Sequence, residues 1–225
     1  MKTDTATSTH ELTTPRAAAV AGVIFALLLA IGLVIVRLAV PPYQTDAGVW
    51  LMDPKRRNAV RVAIQLVPFA GISFLWFMGV IRNRLGPLED RFFATVFLSS
   101  GLLFVASLFV SAASCAALVE SVAQGRPDLL KSDAYYLIRY LIGTIMNIFA
   151  IKMAGVFLAS TSTIALRTGI LPRWIALSGF VCAAVLLLII TNWPWIALLF
   201  PLWMLVVSTY MLLAELHSPR PQSMV

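Results

Sequence analysis

The chain has 225 residues, of which 60% are hydrophobic and only 12% charged, and its mean hydropathy is +0.90. A soluble domain carries about 25% charged residues, so the composition excludes an ordinary soluble protein and points to lipid as the main solvent. The net charge of +7 does not indicate a nucleic-acid partner. The basic residues stand at the ends of hydrophobic runs, where they set membrane orientation and meet anionic headgroups, and they form no continuous patch.

Residues 1–16 are polar and read as a disordered tail. The first apolar run, 17–40, exceeds the roughly 7–15-residue core of a signal peptide, so it reads as a retained span. Within it Ala18, Gly22, Ala26 and Ala30 recur every four residues, a small-residue seam that lets another helix approach closely. Pro41 and Pro42 end the run, and PPYQTDAGVWLMDPKRRN is the longest polar connection.

Further spans are predicted at 59–81, with a kink at Pro68, then at 92–119, 135–166, 174–191 and 195–213, the last containing Pro201. Each is near or above the roughly 20 residues a helix needs to cross the hydrocarbon. Strands are excluded, because open sheet edges cannot be satisfied in lipid and no barrel alternation occurs. The fold class is therefore all-α: a polytopic integral membrane bundle of six transmembrane helices over 17–214, followed by a tail at 215–225.

Trp174, Trp193 and Trp195 fall at span ends, where indole rings favour the interface, and NWPW at 192–195 reads as a tight hairpin at the headgroup boundary. RNRLGPLEDR after the second span and RTGILPRW after the fourth share an arginine–glycine–arginine order. Convergence on helix-stopping and anchoring residues explains this, and a duplicated helix pair is the alternative.

With six spans both tails share one side. That side holds Lys2, Arg16, Arg82, Arg84, Arg91, Arg167, Arg173 and Arg220; the other holds Arg37, Lys55, Arg56, Arg57, Arg61, Arg126, Lys131 and Arg139. Arg37, Arg61 and Arg139 lie inside span limits and can snorkel. Leaving these three out tips the balance towards cytoplasmic tails.

Four serines in the third span, Ser100, Ser107, Ser111 and Ser114, fall within roughly 60° of one another on a helix. Such a stripe packs closely against a neighbour, lines a wet cavity, or bonds its own helix's carbonyls. Tyr140, Thr144 and Asn147 make a second polar stripe in the fourth span, suited to interhelical hydrogen bonds.

Lys152 stands near the centre of the predicted 135–166 span, on one face with Ile148, Gly155, Ala159 and, less closely, Thr163. Its stem reaches roughly 6 Å, short of a half-core of about 15 Å. Facing lipid it would cost at least about 2.5–3.5 kcal/mol, so it should face the bundle interior. Glu120, Asp133 and Glu215 lie at or beyond span ends, which leaves hydroxyls, backbone carbonyls or water as its neighbours. One reading makes Lys152 and the four serines a midplane cavity for a small solute or anion. The other makes Lys152 structural, or shallower in a tilted helix.

Cys115 and Cys182 sit in apolar runs without CxxC spacing and read as small packing residues. Both histidines, His10 and His217, are in the tails. This removes serine–histidine and HExxH chemistry from the spans, and no paired intramembrane aspartates or P-loop occur. A Ser–Lys dyad is conceivable, but nothing marks one serine as a nucleophile. The expectation is a protein that is not an enzyme and has no metal or cofactor.

GPLEDRFFATVFLSSGLLF and KMAGVFLASTSTIALRTGILPRW together resemble small bacterial six-helix membrane proteins grouped as a domain of unknown function. That resemblance implies a six-helix bundle and carries no activity. The sequence thus predicts a multi-pass protein of a bacterial inner membrane with both termini cytoplasmic. It is either a small-solute or anion binder or transporter, which with six spans would need a homo-oligomer, or a non-catalytic subunit docking another membrane protein.

Overall fold

The computed structural model describes residues 15–42, 48–85, 91–188 and 195–217. Among them the chain forms helices and turns with no strand. Helix α1 covers Pro15–Ala39, α2 Pro54–Leu85 and α3 Arg91–Ala123. Helix α4, Asp133–Thr144, continues through a π-helical turn, Ile145–Ala150, into α5, Ile151–Thr168. Helix α6 covers Arg173–Leu188 and α7 Leu199–His217.

Local chemistry sets several helix ends. Proline opens α1 and α2, where its missing N–H costs nothing. Asp53 caps α2 by accepting from the Lys55 N–H at 2.9 Å. Gly169, at φ 68°, ends α5 in the left-handed conformation and donates to the Ala165 carbonyl at 3.0 Å. Pro68 does not interrupt α2, which runs on through it.

Five helices are long and apolar enough to cross a membrane: α1, α2, α3, the continuous α4–α5 and α7 with its short lead-in. Among the described residues α6 has 16, about 24 Å, and positions 189–191 of the predicted 174–191 span lie outside them. Most of NWPW, the glycine–proline turn after α2, the polar tail before Pro15 and the C-terminal tail beyond His217 lie outside the described residues.

The second, third and fourth spans are longer than hydropathy predicts. At 32, 33 and 36 residues they are about 48–54 Å long. A second core accounts for the excess. Trp50, Leu51, Val60, Leu118, Val119 and Tyr135 pack together where α1 ends and α2 begins. Arg61 ties the same ends of α2 and α3 by donating to Glu120 Oε1 from Nε at 3.0 Å and Nη2 at 2.7 Å.

The main core is a cluster of phenylalanines from five helices. Phe25, Phe74, Phe104, Phe157 and Phe200 contact one another with ring centroids 4.5–6.4 Å apart, mostly tilted or edge-to-face. Serine knobs set in glycine holes draw the outer helices in. A Cβ on Gly22 would collide with Ser208 and Phe77, and one on Gly179 with Ser162 and Trp203. Ser162 and Ser208 are fully buried, and their hydroxyls have no hydrogen-bond partner.

Candidate functional site

Lys152 faces α6. Its ammonium donates to the carbonyls of Leu187 at 2.6 Å and Leu186 at 3.1 Å. These are main-chain carbonyls in the last turn of α6 as described, and a charged donor from another helix bonds them strongly. Gly155, on the same face of α5, lies beneath Leu186 and Leu187: a Cβ there would approach Leu187 Cγ to 2.8 Å. The lysine and glycine together form a clamp between α5 and the end of α6.

The serine stripe divides by use. Ser100 donates to the Val96 and Phe97 carbonyls at 2.7 and 3.1 Å, Ser107 to Leu103 at 2.8 Å and Ser114 to Val110 at 2.8 Å. These three satisfy themselves on their own helix. Ser111 differs. It is 5% exposed, its hydroxyl has no hydrogen-bond partner, and it lines a cleft.

That cleft, of about 110 Å³, lies between α1, α2, α3 and the α4–π segment. Leu28, Gly32, Leu33 and Val36 form its α1 wall, and Ala63, Ile64 and Val67 its α2 wall. Leu108, Ser111, Ala112 and Cys115 line it from α3, and Ile142 and Met146 close the fourth side. Voids of this order hold a benzene-sized apolar molecule. A smaller void of about 20 Å³ lies against it, sharing Leu29, Leu33, Leu108 and Met146 and reaching Phe104 and Leu186. A third, of about 40 Å³, lies apart between Phe77, Thr161 and Met211. Lys152 lines none of the three, so the structure does not gather Lys152 and the four serines around one of these spaces.

Two guanidinium groups stand at one end of the cleft. Arg37 follows Val36 and reaches Asn147, the residue after Met146, with Nη2 to Oδ1 at 3.5 Å. Arg139 is 9% exposed, donates to the Pro41 carbonyl at 3.3 Å and lies within electrostatic range of Cys115. The sequence did not single out this end. Its signal was the pair of in-span arginines, Arg37 and Arg139, whose side chains turn to protein partners.

The small-residue seam of α1 is spent inside the bundle, with Ala18, Gly22 and Ala26 buried and Gly22 held against α7 and α2. No protein-family model matches the chain, and neither does any curated protein or solved structure.

Proposed function

We propose that the protein is a six-span protein of a bacterial inner membrane, with both termini cytoplasmic, that binds a small apolar or amphiphilic molecule in the Ser111 cleft and performs no catalysis. The observation that carries the binding reading is the cleft itself: an apolar space with a buried, unpartnered hydroxyl in its wall. Close packing is the rule in protein interiors, and a pocket with few polar groups is the usual form of a small-molecule site. This reading takes the binding role from Lys152, whose ammonium serves the end of α6.

The membrane placement rests on register. Arg16, Arg82, Arg167 and Arg173 mark one level, and about 21 residues along their helices Arg37, Arg61 and Asn147 mark the other, roughly 31 Å away. On that placement Lys152, 15 residues from Arg167, stands about 22 Å from the first level, midway between the midplane and the far face. The three in-span arginines left out of the charge balance all have protein partners, which supports leaving them out. The likeness of two segments to small bacterial six-helix membrane proteins supports the bacterial inner membrane.

Cys115 in the cleft wall reports occupancy, and Cys182, which lines none of the three cavities, is the internal control. In phosphatidylcholine nanodiscs, alkylation by a membrane-permeant maleimide, read by peptide mass spectrometry, should slow at Cys115 and not at Cys182 as dodecanol is added. Ser111→Leu, which fills the cleft, should abolish the effect. A Cys115 rate indifferent to every long-chain additive would overturn the binding reading.

A further inference from the structure

The cleft has a direction. Along α3 its wall runs from Leu108 through Ser111 and Ala112 to Cys115, and Arg139 donates to the Pro41 carbonyl past the Val36 end of the cleft. Along α1 it runs from Leu28 through Gly32 to Val36, and beyond Val36 comes Arg37. Across the π turn Met146 faces the cleft and Asn147 meets Arg37. One end is therefore aliphatic and continues past Met146 towards Phe104, while the other carries two guanidinium groups and an amide. The aliphatic part spans nine residues of α1, about 12 Å from first to last.

We propose that the occupant is a single-chain anionic amphiphile, with the headward part of its alkyl chain in the cleft along the Leu28–Val36 wall, the remainder leaving through the cleft's open side, and its anionic head at Arg37 and Asn147. This rests on the cleft being a binding site, as proposed above, and adds the chemistry of its ligand. The walls supply only apolar contact and one hydroxyl, which matches a chain and discriminates little. The discrimination comes from the guanidinium end. Arginine stays ionised, and its planar fork suits carboxylate or phosphate. At the membrane boundary such contacts gain from partial exclusion of water. Both arginines keep their protein partners, and an anionic head joins them through its charge.

The test is a comparison of headgroups on the wild-type protein, so it needs no variant to fold. Dodecyl phosphate, dodecanol and dodecyltrimethylammonium carry the same chain with negative, neutral and positive heads. In phosphatidylcholine nanodiscs, at equal mole fraction in the bilayer, dodecyl phosphate should protect Cys115 at about tenfold lower concentration than dodecanol. The cationic amphiphile should be weakest. Arg37→Gln should remove the preference for phosphate while leaving protection by dodecanol in place.

Protection in phosphatidylcholine nanodiscs that contain lysophosphatidylglycerol, with no other amphiphile, would identify a membrane lipid as the source. Protection only on adding dodecyl phosphate would identify a free amphiphile, and both results support the proposal. Equal protection by phosphate and alcohol, or a preference that survives Arg37→Gln, overturns the anionic head and leaves the cleft reading standing. No protection by any of the three overturns both.

Discussion

Lys152 gives the sharpest test of how the bundle is held. Lys152→Met keeps the length and apolar stem of the side chain and removes the ammonium. It leaves the carbonyls of Leu186 and Leu187 without the donor that reaches them at 3.1 and 2.6 Å. Interhelical hydrogen bonds in membranes average about 0.6 kcal/mol and reach about 1.7. A charged donor sits at the upper end of that range, so the two bonds predict a loss of about 1–3 kcal/mol. At about 2–4 °C per kcal/mol for a chain of this size, thermal unfolding in nanodiscs should fall by roughly 3–10 °C, read by a fluorogenic thiol dye on Cys115 and Cys182. Amide exchange should quicken at the end of α6 more than in α1 or α3. Lys152→Arg, which keeps a charge and donors, should recover much of the loss. A Lys152→Met protein that melts within a degree of wild type would refute the clamp and reopen Lys152 as a residue kept for another purpose.

Gly22→Ala should cost about 1–3 kcal/mol by overpacking against Ser208 and Phe77, seen as a lower melting temperature in the same assay. Ser208→Ala should be close to neutral, because its hydroxyl has no hydrogen-bond partner to lose. Combined with Gly22→Ala it should return part of the loss, a coupling that independent sites would not show. Arg61 and Glu120 are half-exposed, so a double-mutant cycle with glutamine at each should give a coupling of about 0.2–1 kcal/mol that shrinks in high salt. A larger, salt-insensitive coupling would mean that this end of α2 and α3 lies in a drier place than the register implies.

Helix number and order were legible because lipid imposes a simple rule: backbone groups must be paired within the segment, so apolar runs of sufficient length read as helices. Helix length was less legible. Hydropathy marks where side chains stop being apolar, whereas α2, α3 and α4 continue because their ends bury Trp50, Leu118 and Tyr135 against one another. No window of one helix carries that information, since the residues come from separate parts of the chain. The shared face of Lys152 and Gly155 could be read from helical spacing. Their partner could not, because it consists of main-chain carbonyls, and every residue type supplies one.

The cleft shows most clearly what a linear reading omits. Gly32, Ala63 and Ala112 each leave little side chain in the walls that α1, α2 and α3 present to the cleft, and Ile142 and Met146 face them from the fourth side. Each small residue is visible in the sequence and is unremarked among many others. What makes a cavity is that they border the same space, and this depends on how far each helix is slid along its axis. The π turn at Ile145–Ala150 carries both Met146, which lines the cleft, and Asn147, which meets Arg37, yet IMNIFA carries no signature of a π turn. Ser111 illustrates the same point within one helix. Four serines share a stripe, three bond back to their own carbonyls, and the fourth, in the cleft wall with the three small residues, is left with an unpartnered hydroxyl. The residue types set what each position could do, and the axial offsets between helices decide which position does it.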